Sequence, residues 1–262
     1  MSEQRPALRS HERVIRLDLA YRGTSFRGFA ENAGVRTVAG ELTRALDLVL
    51  GQSGALTVAG RTDAGVHAVG QVVSFRTASP RIESGVDRLG VSLNRLLGPD
   101  IVVTSASVVP DAFDARRSAS ARAYEYRIRN AAFADPRFAD LEWHIAAPLD
   151  VEAMNAAAAH FVGEHDFSSF CRRPKGRPDA SLVRTVSAAQ WHGDGELRRF
   201  EIEANAFCHQ MVRALVGQCV AVGRGDRFAH DVPGVLAAAS RDAAAPIAPP
   251  HGLTLVAVRY PG

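Results

Sequence analysis

A cation, a hydroxyl and a carboxylate stand side by side at Arg61, Thr62 and Asp63, with Gly60 before them and Gly65 and His67 after. The two glycines reach backbone angles closed to other residues, so this stretch can bend sharply and approach a ligand. A carboxylate beside a guanidinium favours its charged form. An ionised Asp suits the role of nucleophile or electrostatic base better than that of general acid. The same residues would also make a hairpin turn in which Asp63 caps backbone N–H groups, and loops carry both kinds of feature. His67 lies four residues after Asp63, a spacing that a metal pair could use. A strand leaves at that point and no third ligand is near in sequence, so no metal site is expected.

Two further stretches could serve the same chemistry. Tyr124 and Tyr126 are two residues apart and share one face of a strand. Such aromatics either pack a sheet or form a platform for a nucleobase, where stacking contributes about 1–3 kcal/mol per base. In the second stretch, Asn205-Ala206-Phe207-Cys208-His209-Gln210-Met211-Val212-Arg213, an arginine falls on an otherwise apolar helix face. Burying it alone is costly, so it calls for a carboxylate partner, unless the side chain snorkels to the surface.

The elements that must position these residues follow a repeated order. Alternating residues at 14–21 read as a half-buried strand, and 22–25 as a turn. Thr37 can cap a helix whose inner face is Val38, Leu42, Ala45, Leu46 and Val49. Apolar runs at 55–59 and 66–75 are the strands entering and leaving the Asp63 stretch. A helix over 85–97 stops at Gly98-Pro99-Asp100, and 101–109 is a strand. Strand, helix, strand, strand, helix, strand is a split βαβ, ferredoxin-like unit. Residues 110–117 break the pattern and connect to a second round. It comprises a strand at 123–128, an Asp150-capped helix to 161, and strands at 182–191 and 197–203 around a His192-Gly193-Asp194-Gly195 hairpin. An apolar helix at 207–222, a short one at 231–240 and a strand at 253–258 complete it. The halves share a pattern and no sequence identity. The expected fold is α+β, with two ferredoxin-like halves and a catalytic cleft between their sheets. The expected boundaries are a disordered lead at 1–12, a first half at 13–110 carrying Asp63, and a second half at 111–262.

The stretch Gly60-Arg61-Thr62-Asp63-Ala64-Gly65-Val66-His67 resembles the signature of the tRNA pseudouridine synthase A family. The resemblance implies that Asp63 is the essential catalytic residue, with Arg61 beside it. It implies that Tyr124 packs on the target base and that Arg213 lies against Asp63. It makes Leu253 the apolar floor of the pocket and, through Pro110-Asp111-Ala112-Phe113-Asp114-Ala115-Arg116, makes Phe113 and Arg116 contacts near the site. The segment 165–170 matches a family segment as well. Two departures are visible: Ala214 stands where the family has Asn, and Gly28-Phe29-Ala30 where it has Gly-Trp-Gln. The implied fold is that of the pseudouridine synthases. The implied activity is isomerisation of uridine at positions 38, 39 and 40 in the anticodon stem-loop of tRNA, by a homodimer and without a cofactor.

The whole chain fits these expectations. Its 262 residues can bury a large core. Its net charge is only +3, yet its pI is near 9.0, and every cationic side chain except Lys175 is arginine. Arginine forks suit phosphates and stack on bases. The loop at 172–179 is polar and reads as a solvated connection. No apolar run is long enough to span a membrane, and 1–11 lacks a signal-peptide core. Cys171, Cys208 and Cys219 show no paired spacing, so neither a disulfide framework nor a zinc site is expected, and the cytoplasm is the expected compartment. Two other functions compete. A non-catalytic RNA-binding protein of two RRM-like halves would need an RNP run, which is absent. A metal-dependent phosphohydrolase built on Asp63 and His67 lacks ligands.

Overall fold

Alternation dictates the first strand. In β1 (Arg13–Tyr21), Ile15, Leu17 and Leu19 are fully buried, while Arg16 and Asp18 pair on the opposite face at 2.6 Å. A computed structural model of the chain describes residues 12–51, 54–173, 176 and 179–261. The expected lead at 1–12 thus lies almost wholly outside the described residues, as do four positions of the 172–179 loop. Helix α1 (Val38–Leu50) follows, its N-terminus closed by Thr37, whose hydroxyl accepts from the Gly40 N–H. Then come β2 (Thr57–Val58), β3 (His67–Thr77), α2 (Val86–Leu97) and β4 (Ile101–Val109). The second half comprises β5 (Ala121–Arg129), β6 (Trp143–His144), α3 (Val151–Ala159), β7 (Gly163–Asp166), β8 (Val183–Asp194), β9 (Leu197–Ala204), α4 (Met211–Gly223), α5 (Val232–Ala237) and β10 (Leu253–Arg259). Asp150 caps α3 by accepting from the Ala153 N–H.

In each half the first strand lies between the fourth and the third: β4-β1-β3 in one, β10-β5-β9-β8 in the other. That is the ferredoxin-like order. The expected pair of sheets, however, is one. Strand β10 pairs in parallel with the start of β3, Thr254 with His67 and Leu255 with Ala68, so a single ten-stranded sheet runs through both halves. The reason lies in β2. The apolar run at 55–59 yields only two strand residues, and these pair with the far part of β3, at Ser74 and Val73. The near part keeps a free edge, which β10 fills. Gly70 permits the close fit, because a Cβ there would run into the carbonyl of Val256.

One large apolar core fills the fold, with α1 packed on α2 and α3 on α4. A small second cluster gathers Ala59, Val72 and Ala115 with Phe113, Val258 and Tyr260. Two expectations need correction. The helix expected from 207 begins at Met211. Residues before it stay in a loop because the Asn205 side chain accepts from the Thr185 and Ala206 N–H groups, and Gln210 turns the chain in a left-handed conformation, φ 68°. The cysteines are the other case. Cys171 and Cys208 are paired as a disulfide, Cα atoms 5.8 Å apart, and their sequence separation of 37 hides this from any spacing rule. Among the described residues no helix is long and apolar enough to cross a membrane.

Candidate active site

The loop between β2 and β3 crosses the seam where β10 joins, and a buried polar network holds it there. Gln71 donates from Nε2 to the Gly60 carbonyl at 2.8 Å and to the Tyr21 hydroxyl at 3.1 Å. The Tyr21 hydroxyl also shares a hydrogen bond with Thr62 Oγ1 at 2.8 Å. Burial pushes the Tyr21 phenol up to about 12, so it stays neutral. The Phe29 N–H donates to the Thr62 carbonyl at 3.0 Å. Beyond Asp63 the chain turns back, with the Val66 N–H on the Asp63 carbonyl at 3.1 Å and Gly65 at φ 81°, the angle that the third position of such a turn requires.

His67 fixes the end of the loop. Its Nδ1 accepts from the Gly23 N–H at 3.0 Å, so Nε2 carries the proton and donates to the His251 carbonyl at 3.1 Å. Burial lowers the pKa of this imidazole. Both ring nitrogens are occupied, which accounts for its position four residues after Asp63 without any metal.

The network presents Asp63 to the second half. Its Oδ2 meets Arg213 Nη1 at 3.1 Å and its Oδ1 meets His209 Nε2 at 3.3 Å. Arg213 is held from behind, Nε donating to the Ala248 carbonyl at 2.8 Å, and its side chain is 13% exposed. The arginine on the apolar helix face thus has a carboxylate, 150 residues away in sequence. The Asp63 side chain keeps 24% of its surface open, enough for a small reactive group to reach it.

Tyr124 completes the cluster. It is 8% exposed and meets Phe207 edge to face, ring centres 5.1 Å apart. Its hydroxyl lies over the Gly60 backbone, 3.8 Å from where a Cβ would stand. Burial drives the phenol pKa well above its ordinary value, and the nearby Tyr21 and Asp63 add to the effect. Tyr126, on the same strand face, is fully buried and donates to the Pro249 carbonyl at 2.8 Å, a packing role.

The other candidates stand further out. Leu253 is buried at the start of β10, opposite Tyr126 and next to the residue that pairs with His67. Arg61 is exposed and, among the described residues, forms no hydrogen bond or ion pair, so the cation beside Asp63 in sequence is not its partner in space. Phe113 packs on Tyr260, ring centres 5.1 Å apart, with the Arg16 guanidinium 5.9 Å from its own centre. Arg116 is exposed; its carbonyl accepts from Arg122 and its N–H donates to Asp114. Within 165–170, Phe167 and Phe170 are core side chains, and Asp166 accepts from the Ser168 N–H and hydroxyl. Sequence reasoning missed His209 and Phe207. His209 stands four residues before Arg213, but it lies in the loop ahead of α4, so helical spacing is not what brings the two side chains to one carboxylate.

Comparison with known proteins agrees with this geometry. Residues 157–261 match a sequence profile described as tRNA pseudouridine synthase. Three relatives carry the name tRNA pseudouridine synthase A. That of Frankia casuarinae is 47% identical over 257 residues, covering 94% of this chain and 89% of the relative. That of Halalkalibacterium halodurans is 43% identical over 240 residues, covering 91% and 89%. That of Leifsonia xyli subsp. xyli is 41% identical over 266 residues, covering 94% and 91%. With identity of 41–47% over more than nine-tenths of its length, the chain belongs to the tRNA pseudouridine synthase A family.

Proposed function

We propose that this chain isomerises uridine to pseudouridine in the anticodon stem-loop of tRNA, at positions 38, 39 and 40. The observation that carries the reading is Asp63, half-open and held between Arg213 and His209, beside the Tyr124–Phe207 aromatic pair. The reaction breaks the bond from the sugar to N1, rotates the base and joins C5 to the sugar. C5 loses a proton and N1 gains one, so substrate and product contain the same atoms and no oxidant or second substrate is consumed. An ionised carboxylate serves each available route: attack on the sugar, attack on the base, or removal of a sugar proton. Arg213 fixes the carboxylate, its Nη1 set against Oδ2 at 3.1 Å.

In this reading Tyr124 stacks on the target base and Leu253 closes the pocket floor. Phe113 and Arg116 lie along the path of the RNA on the connection between halves, and the free guanidinium of Arg61 reaches a phosphate. Two copies of the chain grip one tRNA in the cytoplasm, since the cleft of one holds only the target base and its neighbours. Tritium release from C5-labelled uridine in tRNA tests the activity. The expected result is release that persists in EDTA. A protein that binds tRNA and frees no tritium is an RNA-binding module, and release lost in EDTA points to a metal-dependent enzyme; either result ends the reading. Sedimentation equilibrium tests the dimer, and a single-chain mass unchanged by concentration or tRNA would rule it out.

A further inference from the structure

Arg122 is 7% exposed, one of the most deeply buried charges among the described residues. Its guanidinium makes five hydrogen bonds, and every acceptor is a backbone carbonyl. Nε and Nη2 both reach Ala59 O, at 3.2 and 2.9 Å. Nη2 also reaches Arg116 O at 2.8 Å, and Nη1 reaches Ala119 O at 3.1 Å and Asn205 O at 2.9 Å. A buried charge without a carboxylate partner is a poor way to gain stability, and apolar side chains of similar volume often do as well or better in such places. Stability alone therefore gives little reason for an arginine here.

The identity of the carbonyls gives a better one. Ala59 immediately precedes the Gly60 loop, four residues before Asp63. Asn205 opens the loop that carries Phe207 and His209 and leads to Arg213. Arg116 and Ala119 belong to the connection between β4 and β5, and Arg122 itself sits two residues before Tyr124 on β5. The guanidinium is planar and rigid, so carbonyls bonded to it are fixed in one plane. We infer that Arg122 is a positioning residue for the pseudouridine synthase reaction: its fork sets the Asp63 loop, the Phe207–His209 loop and the Tyr124 strand relative to one another. A lysine could hold one of these carbonyls but not the array.

The consequence for turnover rests on the proposed function; the consequence for the loops does not. Arg122→Lys and Arg122→Met are made in the full chain. For both, kcat on tRNA is expected to fall about 100-fold, the scale of a misplacement near 1 Å, with KM within about threefold of wild type. Hydrogen exchange is expected to accelerate at Phe29 and Val66, whose N–H groups bond Thr62 O and Asp63 O, and at Met211, whose N–H bonds Cys208 O, while the β8–β9 ladder keeps its protection. A kcat for Arg122→Met within about twofold of wild type would overturn the proposal, on the same scale. So would exchange that rises equally throughout, or two variants that both fail to fold, since each marks a general structural role. A wild-type protein that forms no pseudouridine would defeat the functional reading alone, and the exchange measurement would still decide the placement.

Discussion

The two halves repeat one plan and differ at one strand. In the second half the second strand is β8, twelve residues long, and it turns into β9 through a tight hairpin. In the first half the same place is taken by β2, two residues long. The missing length has two consequences. The start of β3 loses a neighbour and takes β10 instead, which fuses the halves. The residues that would have formed the strand become the loop at 59–66, lying over the seam. Asp63 is in that loop, and among the described residues the groups that pair with its side chain, and the aromatics beside it, come from the regular half: Tyr124 from β5, Phe207 and His209 from the loop before α4, Arg213 from α4. The site stands where the repeat is broken, on a loop that leaves the sheet and is held by the Gln71 and Tyr21 side chains together with the Phe29 N–H.

The largest expected effect of breaking this contrast is on the loop itself. Asp63→Asn keeps the size of the side chain and removes its charge. The network around Tyr21, Thr62 and Gln71 does not depend on that carboxylate, so the variant should fold and bind tRNA. Turnover should fall at least about 100-fold, the low end of what a positioned acid–base group contributes. Pseudouridine formation near the wild-type rate would place the chemistry elsewhere.

Next comes the seam. Gly70→Ala sets a methyl group against the Val256 carbonyl, and neither backbone can yield without parting β3 from β10. Overpacking of this kind costs about 1–3 kcal/mol, or about 2–4 °C of Tm per kcal/mol in a chain of this size. Gly195→Ala in the β8–β9 hairpin is the control: its Cβ meets nothing within 4 Å, leaving only the strain of φ 53°. Equal losses in Tm would mean that the join is no tighter than an ordinary turn.

A smaller contrast lies within β5. Tyr124→Ala should lose about tenfold or more in turnover, from the 1–3 kcal/mol of a stacked base, while Tyr124→Phe keeps most of it. Tyr126→Phe removes the bond to Pro249 O and should cost about 1 kcal/mol of stability, with turnover unchanged. If the two positions respond alike, Tyr124 is sheet packing.

Much of this was legible in the residues because it rests on local rules. Strand β4 falls at the expected 101–109, and Thr37 and Asp150 cap the helices they were expected to cap. An arginine on an apolar helix face calls for a carboxylate, and Arg213 has one. What was hidden is non-local. Nothing in residues 55–59 says that only two of them will pair, because the competing edge is supplied by β10, some two hundred residues later. The apolar pattern from 207 continues smoothly into α4, yet Asn205 and Gln210 divert four residues into a loop, and His209 reaches Asp63 from there. The Cys171–Cys208 pairing likewise depends on where that loop lies.

The smallest expected effect is electrostatic and belongs to the foot of β3. The Arg213 guanidinium holds Asp63, whereas a neutral imidazole holds the start of the strand. His67 Nδ1 accepts from Gly23 N–H, and protonation would set an N–H against an N–H. Burial lowers the folded-state pKa; Asp140 opposes that shift and Arg22 assists it. His251, whose carbonyl receives the other ring proton, is lowered by burial too. A depressed histidine pKa means that the unfolded chain takes up its proton first as pH falls. The stabilisation is complete above the unfolded value of about 6.5 and is lost progressively as pH drops toward the folded value. The urea midpoint should therefore hold near pH 7.5 and decline by pH 5.5. In His67→Gln, the amide oxygen can accept from Gly23 and the amide N–H can donate to His251 O, with no proton to gain. This variant should be less stable than wild type at pH 7.5 but should decline less steeply below it, keeping only the slope due to His251. Midpoints that fall in parallel for the two proteins would show that the foot of β3 does not feel the charge of residue 67.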